Sequence, residues 1–157
     1  MDNLIYALFI SVFVPIFLMA LLIEKKARLP IVFVLTGIFI SVFVAEINGL
    51  LQNLLNMDFF EFTIIVTPIT EEILKAIPIL IYATMISEKK EQLFTASMAT
   101  GIGFAVLENA SYLLNKPAFN IVEAIIRGFG TGLMHGMCTL LVGVGIYFVK
   151  SDEKSLL

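Results

Sequence analysis

Long apolar runs alternate with short polar segments along the whole chain. Each run is near or above the roughly 20 residues that an α-helix needs to cross a bilayer. The pattern predicts an all-α fold, a polytopic membrane helix bundle of about five transmembrane helices, in a single integral-membrane domain over residues 1–157. The predicted spans cover about 4–23, 31–55, 63–86, 93–115 and 119–149.

The first run is predicted to be a retained membrane anchor rather than a cleaved signal peptide. The chain begins MDNLIYALF, with Asp2 where a signal peptide carries a basic cluster. The apolar stretch from Leu4 to Ile23 is also long enough to span a bilayer.

Basic residues are concentrated in alternate polar segments, which sets the predicted orientation. The first loop, the third loop and the tail hold most of them, whereas the second loop has only acidic residues and the fourth has one lysine. The N-terminus is therefore expected outside and the C-terminus in the cytoplasm. The basic positions used are Lys25, Lys26, Arg28, Lys89, Lys90, Lys116, Lys150 and Lys154.

Composition agrees with the membrane class. The chain is 59% hydrophobic and 15% charged, with a mean hydropathy of +0.99. A soluble domain is nearer half apolar and a quarter charged. The net charge is −3 and no basic tract is present, so a nucleic-acid partner is not expected. Cys138 is the only cysteine, which rules out an internal disulfide and a zinc finger.

The third run, which contains VTPITEEILKAIPILIYA over residues 66–83, carries Glu71, Glu72 and Lys75. Each central charge opposes insertion by roughly 2.5–3.5 kcal/mol, while each Leu, Ile, Val or Phe contributes only about 0.3–0.6 kcal/mol. This helix is therefore not expected to face lipid on all sides. Pro78 is predicted to kink it, because proline removes an N–H, and such helices commonly line a cavity.

The start of the third helix is open between residue 63, where the predicted span begins, and residue 68. Thr67 and Pro68 suit an N-cap and a first helical residue, and residues 68–86 would still span about 28 Å at 1.5 Å per residue. Under that reading Glu71 and Glu72 would lie in the first turns, where the helix dipole favours their charge.

Ionisable groups in the other runs are predicted to lie at the same depth, nearer the outer face. Glu108 lies in the fourth run, about 10 Å below its outer end by helical rise, and Arg127 lies at a similar depth in the fifth. His135 follows two turns deeper, and Glu46 lies in the outer half of the second run. These depths predict one shared polar centre.

The predicted helix faces agree with this convergence. The fifth run has a polar stripe at four-residue spacing, with glycines beside it that favour close helix approach. Part of the fourth run also forms a polar face. The stripe is Glu123, Arg127, Thr131, His135 and Thr139; the glycines are Gly128, Gly132 and Gly136; the second face is Glu108, Ser111, Tyr112 and Asn115.

The grouped side chains fit hydrolysis of an amide. Two adjacent carboxylates in a low-dielectric site cannot both ionise cheaply, so at least one is expected to accept a proton readily and to activate water. His135 and Asn109 can donate hydrogen bonds to an oxyanion, and Arg127 can stabilise charge or hold a carboxylate. No serine elbow, Cys–His pair, HExxH motif or P-loop is present in the sequence.

A metal centre is compatible with these residues but is not required by them. Glu71 or Glu72, together with Glu108 and His135, would give a carboxylate-rich site with one imidazole. Zinc sites in proteins usually have more histidine or cysteine ligands. A divalent metal such as zinc therefore stays open as a cofactor.

Three segments resemble the successive motifs of the PrsW-type membrane proteases, a family in the wider group of CAAX prenyl endopeptidases and bacteriocin-immunity proteins. The segments are EEILK (71–75), GFAVLEN (103–109) and RGFGTGLMHGMCT (127–139), and the resemblance covers roughly residues 65–145. It implies catalytic roles for Glu71, Glu72, Glu108 and His135. The polar groups beside them are expected to have supporting roles, namely Lys75, Asn109, Arg127 and Thr139.

The resemblance implies an intramembrane endopeptidase of a prokaryotic cell membrane. Its expected partners are the lipid bilayer and a membrane-anchored protein or peptide, cut near the extracytoplasmic side as in site-1 cleavage of an anti-sigma factor. CAAX endopeptidases typically have histidine in place of Glu108 and Asn or Asp in place of Thr139, which argues against prenyl-protein processing. The sequence does not set the oligomeric state.

Other interpretations of the same residues stay open. Intramembrane Glu, His and Arg also build proton relays in transporters and channels, although no inverted repeat is visible. A non-catalytic, immunity-type binding protein is the third class.

Structural roles also stay open for single residues. Glu123 is one turn from Arg127 and suits a structural pair, and TGIG at 100–103 suits close helix packing. Glu71 is slightly favoured over Glu72 as the base.

Overall fold

The computed structural model describes residues 25–87, 89–115 and 121–155. Within these ranges every regular element is an α-helix, so the predicted all-α class is confirmed. The predicted first span, residues 4–23, lies outside the described residues. The helices are α1 (Lys25–Leu55), α2 (Phe59–Met85), α3 (Lys90–Asn115) and α4 (Ile121–Ser155).

Two of the described helices are long and apolar enough to cross a membrane, over Ala27–Leu55 in α1 and Ile121–Asp152 in α4. Large apolar side chains also lie exposed on the outside of the bundle, including Leu54, Phe129 and Leu141. Such an apolar exterior suits contact with lipid. The count of five spans and the orientation of the termini stay predictions.

Helix α2 begins at Phe59, eight residues before Thr67. The Asp58 side chain caps it by accepting a hydrogen bond from the Phe60 N–H at 3.0 Å. The helix then continues through Pro68 and Pro78 to Met85. The alternative start at Pro68 is therefore wrong, because Asp58 supplies an earlier cap.

The early start of α2 changes the position of its two adjacent glutamates. Glu71 and Glu72 lie more than three turns into the helix at 3.6 residues per turn. The helix dipole acts mainly on the first turn, so it does not stabilise their charge. Their stabilisation has to come from neighbouring side chains.

Helix α3 packs closely against both α1 and α4. Its packing surface is made of small residues, among them the buried Ala96, Ala99 and Ala105. A Cβ added to Gly101 would collide with the His135 carbonyl of α4, and one added to Gly103 would collide with the Val34 backbone of α1. The predicted close packing at residues 100–103 is confirmed.

The predicted glycine ridge on α4 forms only in part. A Cβ at Gly136 would lie 3.2 Å from an Ile102 side-chain carbon, so this glycine does face α3. Within the described part of the chain, a Cβ at Gly128 or Gly132 would have no heavy atom within 4 Å. These two glycines point away from α3, so the ridge prediction is wrong for them.

Pro78 lines an apolar groove of about 380 Å³ between α1 and α2, not a polar cavity. Leu29 and Val32 of α1 lie on one side, and Ile81 of α2 lies on the other. Beside the groove, Phe33 packs edge-on against Tyr82 with ring centroids 5.1 Å apart. This part of the bundle therefore supplies an apolar core for α1, α2 and α3.

Candidate active site

Lys75 lies at the centre of the bundle with no part of its side chain exposed. Its Nζ is 2.7 Å from Glu72 Oε1 and 3.0 Å from His135 Nδ1. Glu71 Oε2 is farther away, at 3.8 Å, and the Phe104 ring centroid is 4.2 Å away. Side chains from α2, α3 and α4 therefore shelter the lysine charge from lipid.

His135, the only histidine in the chain, lies buried beside this lysine. Its Nδ1 faces Lys75, and its Nε2 is 2.7 Å from Glu108 Oε2 on α3. Gly101 lets the backbones of α3 and α4 approach closely at the position of His135. The imidazole thus connects α2 to α3, and both of its nitrogens have a partner.

Glu108 uses its two oxygens for different partners. Oε2 contacts His135, and Oε1 lies 3.3 Å from Arg127 Nη2. The Arg127 guanidinium also stacks on the Tyr112 ring, with its central carbon 3.8 Å from the ring centroid. Within the described residues, the buried Nε of Arg127 has no hydrogen-bond partner. Arg127 is therefore held between Glu108 and Tyr112.

Asn109 connects α3 to the backbone of α4. Its Nδ2 donates to the Arg127 carbonyl at 3.3 Å, and its Oδ1 accepts from the Thr131 hydroxyl at 2.9 Å. Asn109 follows Glu108 by one residue, which turns its side chain about 100° away around the helix. Asn109 therefore connects α3 to α4 beside the polar centre.

The two adjacent glutamates have different surroundings. Glu72 bonds Lys75 through Oε1, and its Oε2 accepts from the fully buried Thr139 hydroxyl at 3.3 Å. Glu71 Oε2 is 3.8 Å from Lys75 Nζ and 3.9 Å from His135 Nδ1. Both distances exceed a hydrogen bond, and no other described residue donates one to Glu71. Glu71 is thus the carboxylate with lone pairs free to bind water.

The structure brings most of the sequence-predicted site residues into one continuous network. Phe104, whose ring covers Lys75, is not among the predicted site residues; its position one turn before Glu108 on α3 is the signal that could have found it. Glu46 is exposed and lies outside the network, while Asn48 accepts from the Thr70 hydroxyl at 2.6 Å. The network comprises Glu71, Glu72, Lys75, Glu108, Arg127, His135 and Thr139.

As arranged, these side chains do not form a metal site. Among the described residues, no three His, Cys, Asp or Glu side chains are grouped in a way that could hold a metal ion. A metal binds imidazole through a free lone pair. The Lys75 ammonium and Glu108 take the two nitrogens of His135. The donor set therefore does not fit a metal while these contacts persist.

A polar centre enclosed by apolar helices marks a membrane protein with an internal functional site. A family model described as PrsW family intramembrane metalloprotease matches residues 25–156, which include all four described helices. The chain belongs to this family of intramembrane proteases, which confirms the resemblance of the three sequence motifs. No curated protein and no solved structure matches the chain.

Proposed function

We propose that the protein is an intramembrane endopeptidase in which Glu71 activates the attacking water. The observation that carries this assignment is the difference between the two adjacent glutamates. Glu72 has both oxygens engaged by Lys75 and Thr139, whereas Glu71 lies beside Lys75 and His135 without a hydrogen bond from either. A general base needs a free lone pair within reach of water.

The proposed reaction is a direct attack of water on a peptide bond. Glu71 takes a proton from the water while the water oxygen bonds to the carbonyl carbon. The C–N bond then breaks, and the same proton passes from Glu71 to the departing amine. The products are a new carboxylic acid, which then ionises, and a new amino terminus, so no oxidant, reductant or covalent enzyme intermediate is needed.

Two cations flank the Glu108–His135 pair and stabilise the tetrahedral intermediate. Lys75 lies on the Nδ1 side of His135, and Arg127 lies against the outer oxygen of Glu108. Fixed positive charges in a low-dielectric site stabilise the negative charge that develops on the carbonyl oxygen. Arg127 is partly exposed, with 22% of its side chain accessible.

The proposed substrate is a membrane-anchored protein or peptide, cut near the extracytoplasmic side of a prokaryotic cell membrane as in site-1 cleavage of an anti-sigma factor. The polar centre lies away from Lys89 and Lys150, the residues that predict the cytoplasmic ends of α3 and α4. The family match supports proteolysis as the reaction class.

The proposal is tested in bacterial membranes that contain the full chain. New amino termini of membrane proteins are labelled and identified by mass spectrometry. Wild type and Glu61→Gln, which changes an exposed glutamate of the same helix, should generate one shared set of new termini. Glu71→Gln should generate none of them. The same set from Glu71→Gln would disprove the base, and proton flux into liposomes without any cleavage would favour a transporter.

A further inference from the structure

The contacts of Lys75 fix the protonation pattern of His135. A lysine ammonium has three N–H donors and no acceptor, so its 3.0 Å contact requires His135 Nδ1 to be the acceptor. A neutral imidazole carries its proton on only one nitrogen. That proton must therefore lie on Nε2, which faces the acceptor oxygen Oε2 of Glu108 at 2.7 Å. Two independent contacts thus require the same tautomer.

A proton on Nδ1 of His135 does not fit this arrangement. An Nδ1–H would point at the ammonium nitrogen of Lys75 at 3.0 Å. Two donors would then face each other in a buried site. The lysine contact therefore sets the ring orientation, with Nδ1 as the acceptor.

The surroundings of Lys75 are those of a bound cation. Its ammonium lies 2.7 Å from one carboxylate, Glu72, and 3.8 Å from a second, Glu71. The Phe104 ring covers another side at 4.2 Å, a distance suited to a cation–π contact. A buried charge needs such compensation on every side. The same carboxylates and imidazole nitrogen are the atoms that a divalent ion would need.

We propose that Lys75 is the resident cation of this site. It is a positioning residue that orients His135 with Nδ1 as acceptor and Nε2–H toward Glu108, and it occupies the place that a divalent metal would take between Nδ1 and the two glutamates. The inference rests on the site of the proposed protease. The tests measure bound zinc and the NMR signals of the imidazole. Neither depends on cleavage, so the inference can fail while the proposed proteolysis holds, and the reverse.

The first experiment measures zinc directly. Full-length protein carrying no histidine tag is purified in lipid nanodiscs, equilibrated with zinc chloride, separated from free zinc and analysed by plasma mass spectrometry. Wild type and Lys75→Arg should retain far less than one zinc per chain. Lys75→Leu, which removes the charge without adding a donor, should gain zinc that is lost again when His135→Ala is added.

Lys90→Leu is the matched control, because Lys90 is an exposed lysine at the start of α3. It should retain as little zinc as wild type. One zinc per wild-type chain, lost in His135→Ala, would overturn the proposal, since the metal would then displace the lysine. Failure of Lys75→Leu to gain any zinc while it stays folded would also contradict the proposed competition.

The second experiment needs no variant, because the chain contains one histidine. Protein labelled with ¹⁵N-histidine gives two ring-nitrogen signals, which are assigned through their couplings to the ring protons. The expected result at neutral pH is a protonated Nε2 and an unprotonated Nδ1. Lys75→Leu should shift the Nδ1 signal, whereas Lys90→Leu should leave both signals in place. A protonated Nδ1 in the wild type would disprove the assignment.

Discussion

His135 Nε2 lies 2.7 Å from Glu108 Oε2, and this contact joins α4 to α3 across the polar centre. The second oxygen of Glu108 is held by Arg127 at 3.3 Å. The carboxylate therefore has a fixed orientation, and it transmits that orientation to the imidazole. Both of its oxygens thus have a partner, and the role proposed for Glu108 is to align His135.

Replacement of Glu108 by glutamine is expected to slow cleavage roughly ten- to a hundredfold. The amide has one acceptor oxygen, so it cannot accept from both His135 and Arg127 as the carboxylate does. Loss of a hydrogen bond to a charged group costs about 1.5–3 kcal/mol, which gives this range of rates. Cleavage rates of a membrane-tethered substrate measure the effect. Glu91→Gln, at an exposed position in the first turn of α3, is the control, and an unchanged rate in Glu108→Gln would contradict the alignment role.

The two adjacent glutamates are expected to separate activity from stability. Glu71→Gln should reduce cleavage by about 10²–10⁴-fold, the usual contribution of a general base, with little change in unfolding. Glu72→Gln should destabilise the bundle by about 1.5–3 kcal/mol, because Lys75 loses its nearest counter-charge. Unfolding of the purified chain in dodecyl sulfate measures stability. Equal effects of both substitutions on both quantities would argue against distinct roles.

Gly101→Ala is expected to separate α3 from α4 and to lower stability by about 1–3 kcal/mol, the typical cost of overpacking. The new Cβ would collide with the His135 carbonyl, so cleavage should fall as well. Gly128→Ala is the matched control on α4, since no described atom lies within 4 Å of its Cβ. That control should be neutral or more stable by up to about 1 kcal/mol. Unchanged stability in Gly101→Ala would show that α3 and α4 leave room for the added Cβ, which contradicts the close packing described.

Prolonged dialysis against a chelator is expected to leave the cleavage rate unchanged. Lys75 and Glu108 engage both nitrogens of His135, so removal of trace metal takes away no contact in the site. Metal content is measured on the same samples by plasma mass spectrometry. Activity that disappears with the chelator and returns with zinc would disprove this expectation.

The sequence sufficed for the fold class and for the grouping of the polar residues. Glu71, Glu108 and His135 each interrupt a long apolar run, and the energetic cost of a lipid-facing charge requires them to find one another. Helical periodicity then indicates which neighbours share their faces. These arguments use only spacing and burial cost, both of which are local properties of the chain.

The atomic pairings could not be predicted in the same way. The start of α2 was open between residues 63 and 68, and the structure places its cap at Asp58, which was not among the predicted caps. Glycine spacing on α4 indicated close approach but not which glycine has a neighbour, because that depends on helix rotation. The Asn109 amide donates to the Arg127 carbonyl, a contact that depends on how close α4 lies to α3.

Because the backbones of α3 and α4 are in close contact at Gly101 and His135, His135 is held more rigidly than the glutamates on α2. The histidine is carried by a helix pair in direct main-chain contact, which can separate only by breaking dense packing. Beside the glutamates, α2 meets its neighbours through side-chain bonds such as Thr70 to Asn48 and Thr139 to Glu72. Displacing α2 from the centre therefore disrupts side-chain bonds, whereas separating α3 from α4 disrupts main-chain packing.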